Sequence, residues 1–449
     1  MAIMSSVREN AAAASAKPQK RARFAVEEWI LNGNEVVTFR LVEKPEEWQE
    51  GKDKVLLRPG FKPEYTHQVF SEDEEVKGYQ GLSIDVFVNA RDFTTMVEVK
   101  YSEKAKVADD VDDIMAETFQ GQVLQGPDSG LKFEQSLSAS QALSLGDYGQ
   151  ELDKSPLGDG AELVITCSNL ASASEAIRGL HSRMQPFLVF FIDGASTIDQ
   201  DDPNWELLLA IRQEGDSMQV MGLCTVHSCF AYPDSKRLQV SQIMVLPPYQ
   251  KQGVAGKLIS SVMKIARETG AKDVTYEDPT PTVQRLRERV DLLSCKPVTW
   301  LHEAAEACVQ RAAQAASSSG NPKEVEKRLA PPKDAVSRIQ AELKLTPVWF
   351  MRVWESLLLP AVKKRGDHMM AILTGYMKTR IGLGEGDVKH AKGKRTWDTE
   401  TGFVMAFTAE QVGFAPVLED EEMSEEQRAE LVAEAVGQRL EEIEGLLTP

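Results

Sequence analysis

Residues 240–279 read VSQIMVLPPYQKQGVAGKLISSVMKIARETGAKDVTYEDP, and this stretch decides the fold. Its apolar start, Val240–Leu246, is rich in β-branched residues and predicts a strand. The pair Pro247–Pro248 ends that strand, because proline lacks the backbone donor and restricts the residue before it. A glycine turn then opens an amphipathic helix that runs to about Thr269 and closes at Gly270. The pattern therefore predicts a strand–turn–helix unit.

The turn and the end of the next strand are the two places in this unit where we expect chemistry. At the turn, residues 250–255, the first helical N–H groups have no intrahelical partner and the helix dipole favours negative charge, which suits a pyrophosphate. A second short strand at 272–276 leads to Glu277 and Asp278, just before Pro279. From the residues alone this carboxylate pair fits two roles, a catalytic pair or a cap of the turn.

The turn has the pattern Q/R-x-x-G-x-G/A and resembles the acetyl-coenzyme A motif of the GNAT acetyltransferases, with Ala255 where the family often has glycine. The resemblance implies acetyl-CoA as co-substrate and no metal. It also implies a set of coenzyme-binding residues on the loop and on the strand before it. These are Gln250, Lys251, Gln252, Gly253, Val254, Ala255 and Gly256 of the loop, and Ile243, Met244 and Val245 of the strand.

Three further segments narrow the resemblance: FKPEYTHQVFSEDEEVKGYQGLSI at 61–84, FFIDGASTIDQDD at 190–202 and AYPDSKRLQVSQ at 231–242. Together with YEDP they resemble the type B histone acetyltransferases, over roughly 36–359 with a divergent stretch at about 102–160. This resemblance implies acetylation of the histone H4 tail, with histone H3 as its dimer partner. It also implies a WD-repeat histone chaperone as partner and a distribution between nucleus and cytoplasm.

The resemblance implies three catalytic carboxylates. A lysine side chain has a pKa of about 10.4, so acetyl transfer to its amine needs a group that removes a proton. Glu277 matches the family's catalytic glutamate and is our choice for general base, with Asp278 as a second carboxylate near the amine. Asp193 stands where the family usually has glutamate, and its shorter side chain retracts the carboxylate by one methylene.

The substrate-binding residues implied by the resemblance are partly acidic and partly on a strand. The acidic ones, in the run SEDEE, suit a basic tail, although such a run also occurs at solvated hairpin tips. Trp205 heads a predicted strand and fits a core position equally well. The full set comprises Glu72, Asp73, Glu74, Trp205, His227, Ser228 and Cys229.

Composition limits the class of protein. The formal net charge of −18 argues against direct DNA binding and is compatible with a basic peptide partner. No apolar run has the length of a membrane span, so we expect no membrane association. The five cysteines and six histidines have no metal-binding spacing, which favours reduced intracellular thiols.

These observations predict an α+β protein with a GNAT fold, in which a mixed and mostly antiparallel sheet has flanking helices. A small N-terminal α/β domain precedes it and a helical region follows. The strands are expected at 36–42, 82–88, 94–101, 205–212, 220–230 and 238–246. The predicted parts are a disordered basic arm (1–23), a tail-binding domain with its linker (24–150), a catalytic domain (151–297), a helical domain (298–359) and an extension with an acidic helix (360–449).

Three functions remain open at this point. The first is a histone H4-directed lysine acetyltransferase that uses direct attack on acetyl-CoA. The second keeps the coenzyme site but acts on another protein or a small amine, which would leave the N-terminal domain without a purpose. The third is a non-catalytic histone-binding adaptor, which the presence of Glu277 disfavours.

Overall fold

The computed structural model describes residues 29–49, 51–318, 321–393 and 425–448. The chain divides into two compact units. The first comprises Met1–Gln141 and Ser182–Thr197, and the second comprises Ala142–His181 and Ile198–Pro449. The predicted basic arm, 1–23, lies outside the described residues.

The first unit contains a three-stranded sheet, two small two-stranded sheets and short helices. Its elements are β1 Ile30–Asn32, α1 Gly33–Val36, β2 Val37–Val42, α2 Pro45–Gln49, α3 Lys52–Leu56, β3 Glu75–Lys77, β4 Tyr79–Gln80, β5 Ser83–Asn89, β6 Thr95–Lys100, β7 Glu103–Lys104, α4 Val111–Thr118 and α5 Ser129–Ser140. In the three-stranded sheet, β2 runs parallel to β5, and β5 pairs antiparallel with β6. The three strands predicted here are confirmed to within one residue at each end.

The core of the first unit is largely aromatic. Phe87 and Phe133 are fully buried, and the Trp48 ring packs edge-on against both. The segment Ser182–Thr197 returns to this unit because Phe187 and Phe190 pack around the buried ring of Phe39. Burial of such rings is a large apolar contribution, which explains why the segment joins this unit despite its distance in sequence.

The second unit contains the main sheet and most of the helices. Its elements are β8 Gln150–Pro156, β9 Glu162–Asn169, α6 Glu175–Leu188 (which ends in the first unit), β10 Trp205–Glu214, β11 Ser217–Ala231, β12 Ser235–Val245, α7 Val254–Glu268, β13 Val274–Tyr276, α8 Pro281–Cys295, α9 Thr299–Ser317, α10 Pro322–Lys327, α11 Lys333–Leu343, α12 Pro347–Lys363, α13 Asp367–Gly393 and α14 Glu425–Leu447. The predicted strands 205–212, 220–230 and 238–246, the coenzyme helix and the acidic C-terminal helix are confirmed.

The main sheet has the order β13-β12-β11-β10-β9-β8, and every pair is antiparallel except β12 with β13. Two β-bulges interrupt its central strands. Met221 is the extra residue of β11 against β10, and Ser241 is the extra residue of β12 against β11. A bulge bends its strand and re-aims the neighbouring side chains. Both bulges lie beside the stretch predicted to bind coenzyme.

The predicted domain boundaries need three corrections. The first unit ends at Gln141 rather than at 150. It also includes Ser182–Thr197, because Phe187 and Phe190 pack against Phe39 in its core. The divergent stretch at about 102–160 contains α5, whose Phe133 and Leu137 are buried in the core of the first unit. Residues 298–359 and the described parts of 360–449 lie in the second unit together with the main sheet.

Buried ion pairs join the C-terminal helices to the rest of the second unit. Glu288 of α8 is fully buried between Arg352 of α12 and Arg439 of α14. Arg439 also contacts the fully buried Glu355 of α12 at 3.1 Å. None of the helices within the described ranges has the length and apolar character needed to cross a membrane.

Candidate active site

The loop between β12 and α7 presents unpaired N–H groups. Gly253 is the N-cap residue of α7 with φ 81°, in the left-handed region that favours glycine. It offers no side chain to the N–H groups of Val254, Ala255 and Gly256, and the first turn contains no acidic residue. Three helical donors therefore remain for an anion, with the positive end of the helix dipole behind them. These residues fit the pyrophosphate of acetyl-CoA.

Side chains of the loop fold back onto the backbone. Gln250 Nε2 donates to the carbonyl oxygen of Val245 at 3.0 Å, and Gln252 Nε2 donates to that of Pro248 at 3.2 Å. Lys251 is exposed with φ 60°, and it adds a positive charge beside the helix N-terminus. These contacts fix the shape of the loop while leaving the helical N–H groups accessible.

The strand before the loop has one open edge. β13 pairs with β12 only at Leu238, Gln239 and Val240, so β12 extends beyond it by five residues. The N–H of Gln242 donates to Thr225 Oγ1 (3.2 Å) and that of Leu246 to Met221 O (2.9 Å), both on β11.

Because backbone direction alternates along a strand, Ile243 and Val245 direct their N–H and C=O groups to the open edge. The bond from Gln250 to Val245 O agrees with this direction. Met244 differs from its neighbours, since its carbonyl faces Gly222 of β11 and its side chain is buried. Of the three predicted coenzyme contacts on this strand, Ile243 and Val245 therefore face the open edge, and Met244 faces β11.

Gly222 permits the close approach of β11 to this strand. A Cβ atom at this position would lie 2.3 Å from Met244 O and 2.9 Å from Val245 Cα. We expect Gly222→Ala to displace the coenzyme strand, because backbone atoms yield less easily than side-chain tips. The expected result is a loss of about 1–3 kcal/mol of stability, together with a roughly tenfold rise in KM for acetyl-CoA, or about 1.4 kcal/mol.

Gly437→Ala is the matched control, because a Cβ at Gly437 of α14 meets no atom within 4 Å. In a helix interior this change is neutral or stabilising by up to about 1 kcal/mol. Thermal unfolding and initial rates at varied acetyl-CoA check both variants. A normal KM and midpoint for Gly222→Ala would contradict the steric argument.

Glu277 lies where β12 and β13 separate. Its N–H donates to Val240 O at 2.9 Å, the last backbone bond between the two strands. Its exposed carboxylate accepts a 2.5 Å hydrogen bond at Oε2 from the hydroxyl of Ser241. Ser241 is the bulged residue of β12, so the bulge aims this hydroxyl at the carboxylate. Sequence reasoning missed Ser241, since nothing in the local sequence marks a bulge there.

Asp278 and Asp193 occupy different surroundings from Glu277. Asp278 is exposed and has φ 35°, so the chain turns sharply between Glu277 and Pro279. Asp193 belongs to the first unit, where His67 Nε2 lies 3.1 Å from its Oδ1. The catalytic roles of both residues stay predictions.

The acidic segment at 72–74 contains two kinds of carboxylate. Glu72 and Asp73 are exposed. Glu74 is instead tied into the first unit, since Oε1 accepts the N–H of Thr66 (3.0 Å) and Oε2 accepts Asn34 Nδ2 (2.6 Å). The same two bonds, the backbone one first, lower the pKa of Glu74. Glu74 thus has structural partners within the first unit, while the substrate-binding role of all three residues stays a prediction.

The remaining predicted substrate residues cluster at one end of β10 and β11. The rings of Trp205 and His227 meet edge-on with centroids 4.6 Å apart. His227 Nε2 lies 3.3 Å from Asp202 Oδ2, and its Nδ1 lies 3.2 Å from Cys229 Sγ. The hydrogen bond from the N–H of Asn204 is the main cause that lowers the pKa of Asp202, and the hydrogen bond with His227 lowers it further. Both favour a charged carboxylate here. Trp205, His227, Ser228 and Cys229 are all half-buried, so this surface is accessible to a peptide.

The two cysteines of β11, Cys224 and Cys229, are not activated nucleophiles. Burial raises the pKa of Cys229, and it raises the pKa of Cys224 to about 12. A thiol of high pKa is a poor nucleophile near neutral pH. Within the described ranges, no three His, Cys, Asp or Glu side chains come together as a metal site.

Comparison with protein families agrees with this geometry. The family model described as histone acetyl transferase HAT1 N-terminus matches residues 29–193, and the model described as acetyltransferase (GNAT) family matches residues 177–286. Several relatives are named histone acetyltransferase type B catalytic subunit. The one from Zea mays is 25% identical over 97% of this chain and 94% of the relative, and the one from Homo sapiens is 30% identical over 60% and 65%. Residues 177–286 therefore match the GNAT acetyltransferases, and the chain is similar to type B histone acetyltransferases over most of its length.

These matches confirm the predicted fold class and support an acetyltransferase enzyme. The GNAT fold implies acetyl-CoA as co-substrate. Among solved structures, the chain is similar to an aminoglycoside acetyltransferase from an uncultured soil metagenomic sample, with a TM-score of 0.21 and 16% identity over 27% of this chain and 79% of that one.

Proposed function

We propose that this enzyme acetylates lysines of the histone H4 N-terminal tail, with Glu277 as the general base. One observation supports the base most directly. The Glu277 carboxylate lies at the point where β12 leaves β13, beside the open edge of Ile243 and Val245, and Ser241 fixes its orientation. A base at this position adjoins the strand expected to hold the thioester.

The proposed mechanism is direct attack of the lysine amine. Acetyl-CoA supplies an activated acetyl group as a thioester. Glu277 removes the proton that the amine must lose, through whichever carboxylate oxygen faces the substrate, while the Ser241 hydroxyl binds Oε2. An N–H of the open edge, at Ile243 or Val245, stabilises the negative charge that develops on the carbonyl oxygen. The high pKa values of Cys224 and Cys229 support a mechanism without a covalent enzyme intermediate.

Charge supports a basic peptide as acceptor. The whole chain has a net charge of −18, and Glu72 and Asp73 are exposed acidic groups that suit such a peptide. The relatives from Zea mays and Homo sapiens are named histone acetyltransferases. Histone H4, in its dimer with H3, is therefore the substrate we test first.

The deciding experiment measures acetyl-CoA turnover with an H4 tail peptide and with the same peptide in which arginine replaces every lysine. We expect turnover on the first and none on the second. An H3 tail peptide and a small polyamine serve as competing acceptors. Equal turnover on the polyamine would favour the small-amine function, and tight peptide binding without turnover would favour the non-catalytic adaptor.

Removing the two exposed charges of the acidic segment should weaken peptide binding. For Glu72→Gln/Asp73→Asn we expect a several-fold rise in KM for the H4 peptide at low salt, shrinking at high salt because exposed charges are screened. The KM for acetyl-CoA should not change. Initial rates at two ionic strengths test this.

Glu74→Gln is the contrasting variant in the same segment. Since both of its oxygens accept hydrogen bonds within the first unit, we expect a loss of about 1–3 kcal/mol of stability. A larger rise in peptide KM for Glu74→Gln than for the double variant would reverse the assignment of these roles.

The proposal extends to partners and location. A WD-repeat histone chaperone is proposed as the protein partner, with no direct DNA binding and no membrane association, and the enzyme is proposed to distribute between nucleus and cytoplasm. The acidic charge of −18 supports an enzyme that meets histones as free proteins rather than on DNA. Co-purification of a chaperone and an absence of DNA retardation would support it.

A further inference from the structure

The proposed general base, Glu277, directly follows a short edge strand of the main sheet. β13 has three residues, forms the edge of the main sheet and pairs only with β12. Glu277 follows it directly and is exposed, and Asp278 then turns the chain away at φ 35°. The N–H of Val274 donates to Lys344 O at 3.0 Å on the outer side of this strand, and Glu277 is bonded to Val240 and Ser241. A strand this short still depends on its neighbours for a fixed position, so side-chain contacts to β13 bear on where Glu277 lies.

Arg287 of α8 contacts both ends of this strand. Its Nη2 donates to the carbonyl oxygen of Val274, the first residue of β13, at 2.8 Å. Its guanidinium carbon lies 4.3 Å from the ring centroid of Tyr276, the last residue of β13, which immediately precedes Glu277. The Arg287 side chain therefore holds the start of β13 by a hydrogen bond to the Val274 carbonyl and its end by stacking on the Tyr276 ring.

The guanidinium is itself held on two further sides. The Trp349 ring of α12 lies 4.3 Å from the guanidinium carbon, on which Tyr276 also stacks. Asp291, one helical turn along α8, lies 3.4 Å from Nε. Arg287 is 1% exposed and Asp291 fully buried. Tyr276 and Trp349 thus flank a planar cation that has almost no freedom to move.

Such a cluster is costly for a fold. Burial, opposed by Arg287, raises the pKa of Asp291 to about 6. Three polar atoms of this cluster are buried without a hydrogen-bond partner among the described residues. They are Tyr276 Oη, Arg287 Nη1 and Asp291 Oδ1. Well-packed apolar side chains often serve stability as well as a buried ion pair does. Stability alone therefore gives a weak reason for an arginine here.

We infer that Arg287 is a positioning residue that places Glu277 for proton removal by holding β13 at Val274 and Tyr276. It touches neither the acetyl group nor the amine and acts only through the strand. This inference rests on the proposed role of Glu277 as general base. Glu277 and Ser241 supply the chemistry, and Arg287 sets the distance between the carboxylate and the open edge of β12.

Arg287→Lys is the first test, because it keeps the charge beside Asp291 but loses the planar group that stacks and donates to Val274. We expect kcat with the H4 peptide to fall roughly 10²-fold, the size typical of a small misplacement of a reacting group. The KM for acetyl-CoA should stay near wild type, while the lost hydrogen bond to the buried Val274 carbonyl should cost about 1–3 kcal/mol of stability. Unchanged kcat would overturn the inference.

Arg338→Lys is the matched control. Arg338 also stacks on an aromatic ring, Trp300 at 4.0 Å, and pairs with an acid four residues on, Glu342 at 2.7 Å. This trio lies on the surface and contacts neither β12 nor β13 in the bonds described. The change should leave kcat at the wild-type value.

A double-variant cycle separates positioning from general damage. In a Glu277→Gln background there is no base left to place, so adding Arg287→Lys should change kcat by less than about twofold. A full 10²-fold loss in that background would overturn the inference, since Arg287 would then act by another route. If Glu277→Gln alone leaves kcat unchanged, the base assignment falls and this inference falls with it. If Glu277→Gln is impaired but Arg287→Lys is not, only this inference falls.

A second variant covers the case in which lysine fails to fold. Arg287→Met/Asp291→Asn removes both buried charges together, an exchange that proteins generally tolerate. It should retain the fold by circular dichroism and bind acetyl-CoA with wild-type affinity, yet lose kcat about as much as Arg287→Lys. Wild-type kcat in this double variant would contradict the inference.

Discussion

Glu277→Gln is expected to reduce kcat on the H4 peptide by about 10²–10⁴-fold, the usual contribution of a positioned general base. Glutamine keeps the shape of the side chain and still accepts the hydrogen bond from Ser241. It does not accept a proton from the lysine amine near neutral pH. The loss should therefore appear in kcat, while acetyl-CoA affinity, measured by calorimetry, remains that of the wild type.

The pH dependence provides a second check on this variant. If the amine must be deprotonated by Glu277, raising the pH toward the lysine pKa of about 10.4 supplies a neutral amine without help. The activity of Glu277→Gln should then recover as pH rises, more steeply than that of the wild type. Glu268→Gln, an exposed glutamate at the end of α7, is the control and should behave as wild type throughout. A variant that loses coenzyme affinity together with kcat would refute the assignment of Glu277 as base.

Local patterns were sufficient to predict most of the catalytic fold. The strands β10, β11 and β12 are long apolar segments separated by turn residues, and α7 has a strongly amphipathic sequence between a glycine turn and Gly270. These elements are defined by contacts within or between neighbouring segments, which periodicity reflects directly. The coenzyme loop was predictable for the same reason, because glycine at a strand-to-helix turn has a local conformational cause.

Features that depend on distant contacts were not predictable from the sequence. Ser182–Thr197 joins the first unit because Phe187 and Phe190 meet Phe39, and their sequence separation hides this contact. The bulge at Ser241 depends on the register between two strands, so the hydroxyl beside Glu277 has no sequence signature. Glu74 looked identical to Glu72 until its partners Asn34 and Thr66 were located.

Arg439→Met is expected to cost about 3 kcal/mol of stability, the range for breaking a buried ion pair by removing one partner. Arg439 of α14 contacts Glu288 and Glu355, and both glutamates are fully buried. Methionine has a similar volume but no charge, so the two carboxylates lose a shared cation. Arg352 and Arg380 still contact them, which keeps the expected cost at the lower end of the range.

The C-terminal helix has a second, exposed link to the same partner helix, and this supplies the control. Lys363 of α12 lies 2.5 Å from Glu444 of α14, with side chains 48% and 52% exposed. Lys363→Met should cost less than about 1 kcal/mol, since exposed pairs contribute little. Denaturant unfolding of both variants gives the comparison directly. Equal effects would mean that α14 docks through its apolar residues, such as Val436 and Ile443, and not through Arg439.

The ion pairs of Glu288 with Arg439 and Arg352 should make the stability of the protein fall at acidic pH. Burial raises the pKa of Glu288, but Arg439 and Arg352 lower it further, so its pKa in the folded state is below the ordinary value. The stabilisation is therefore present above the unfolded-state pKa of about 4.3 and is lost as pH falls through the folded-state pKa. The difference in unfolding free energy between wild type and Arg439→Met should thus narrow under acidic conditions.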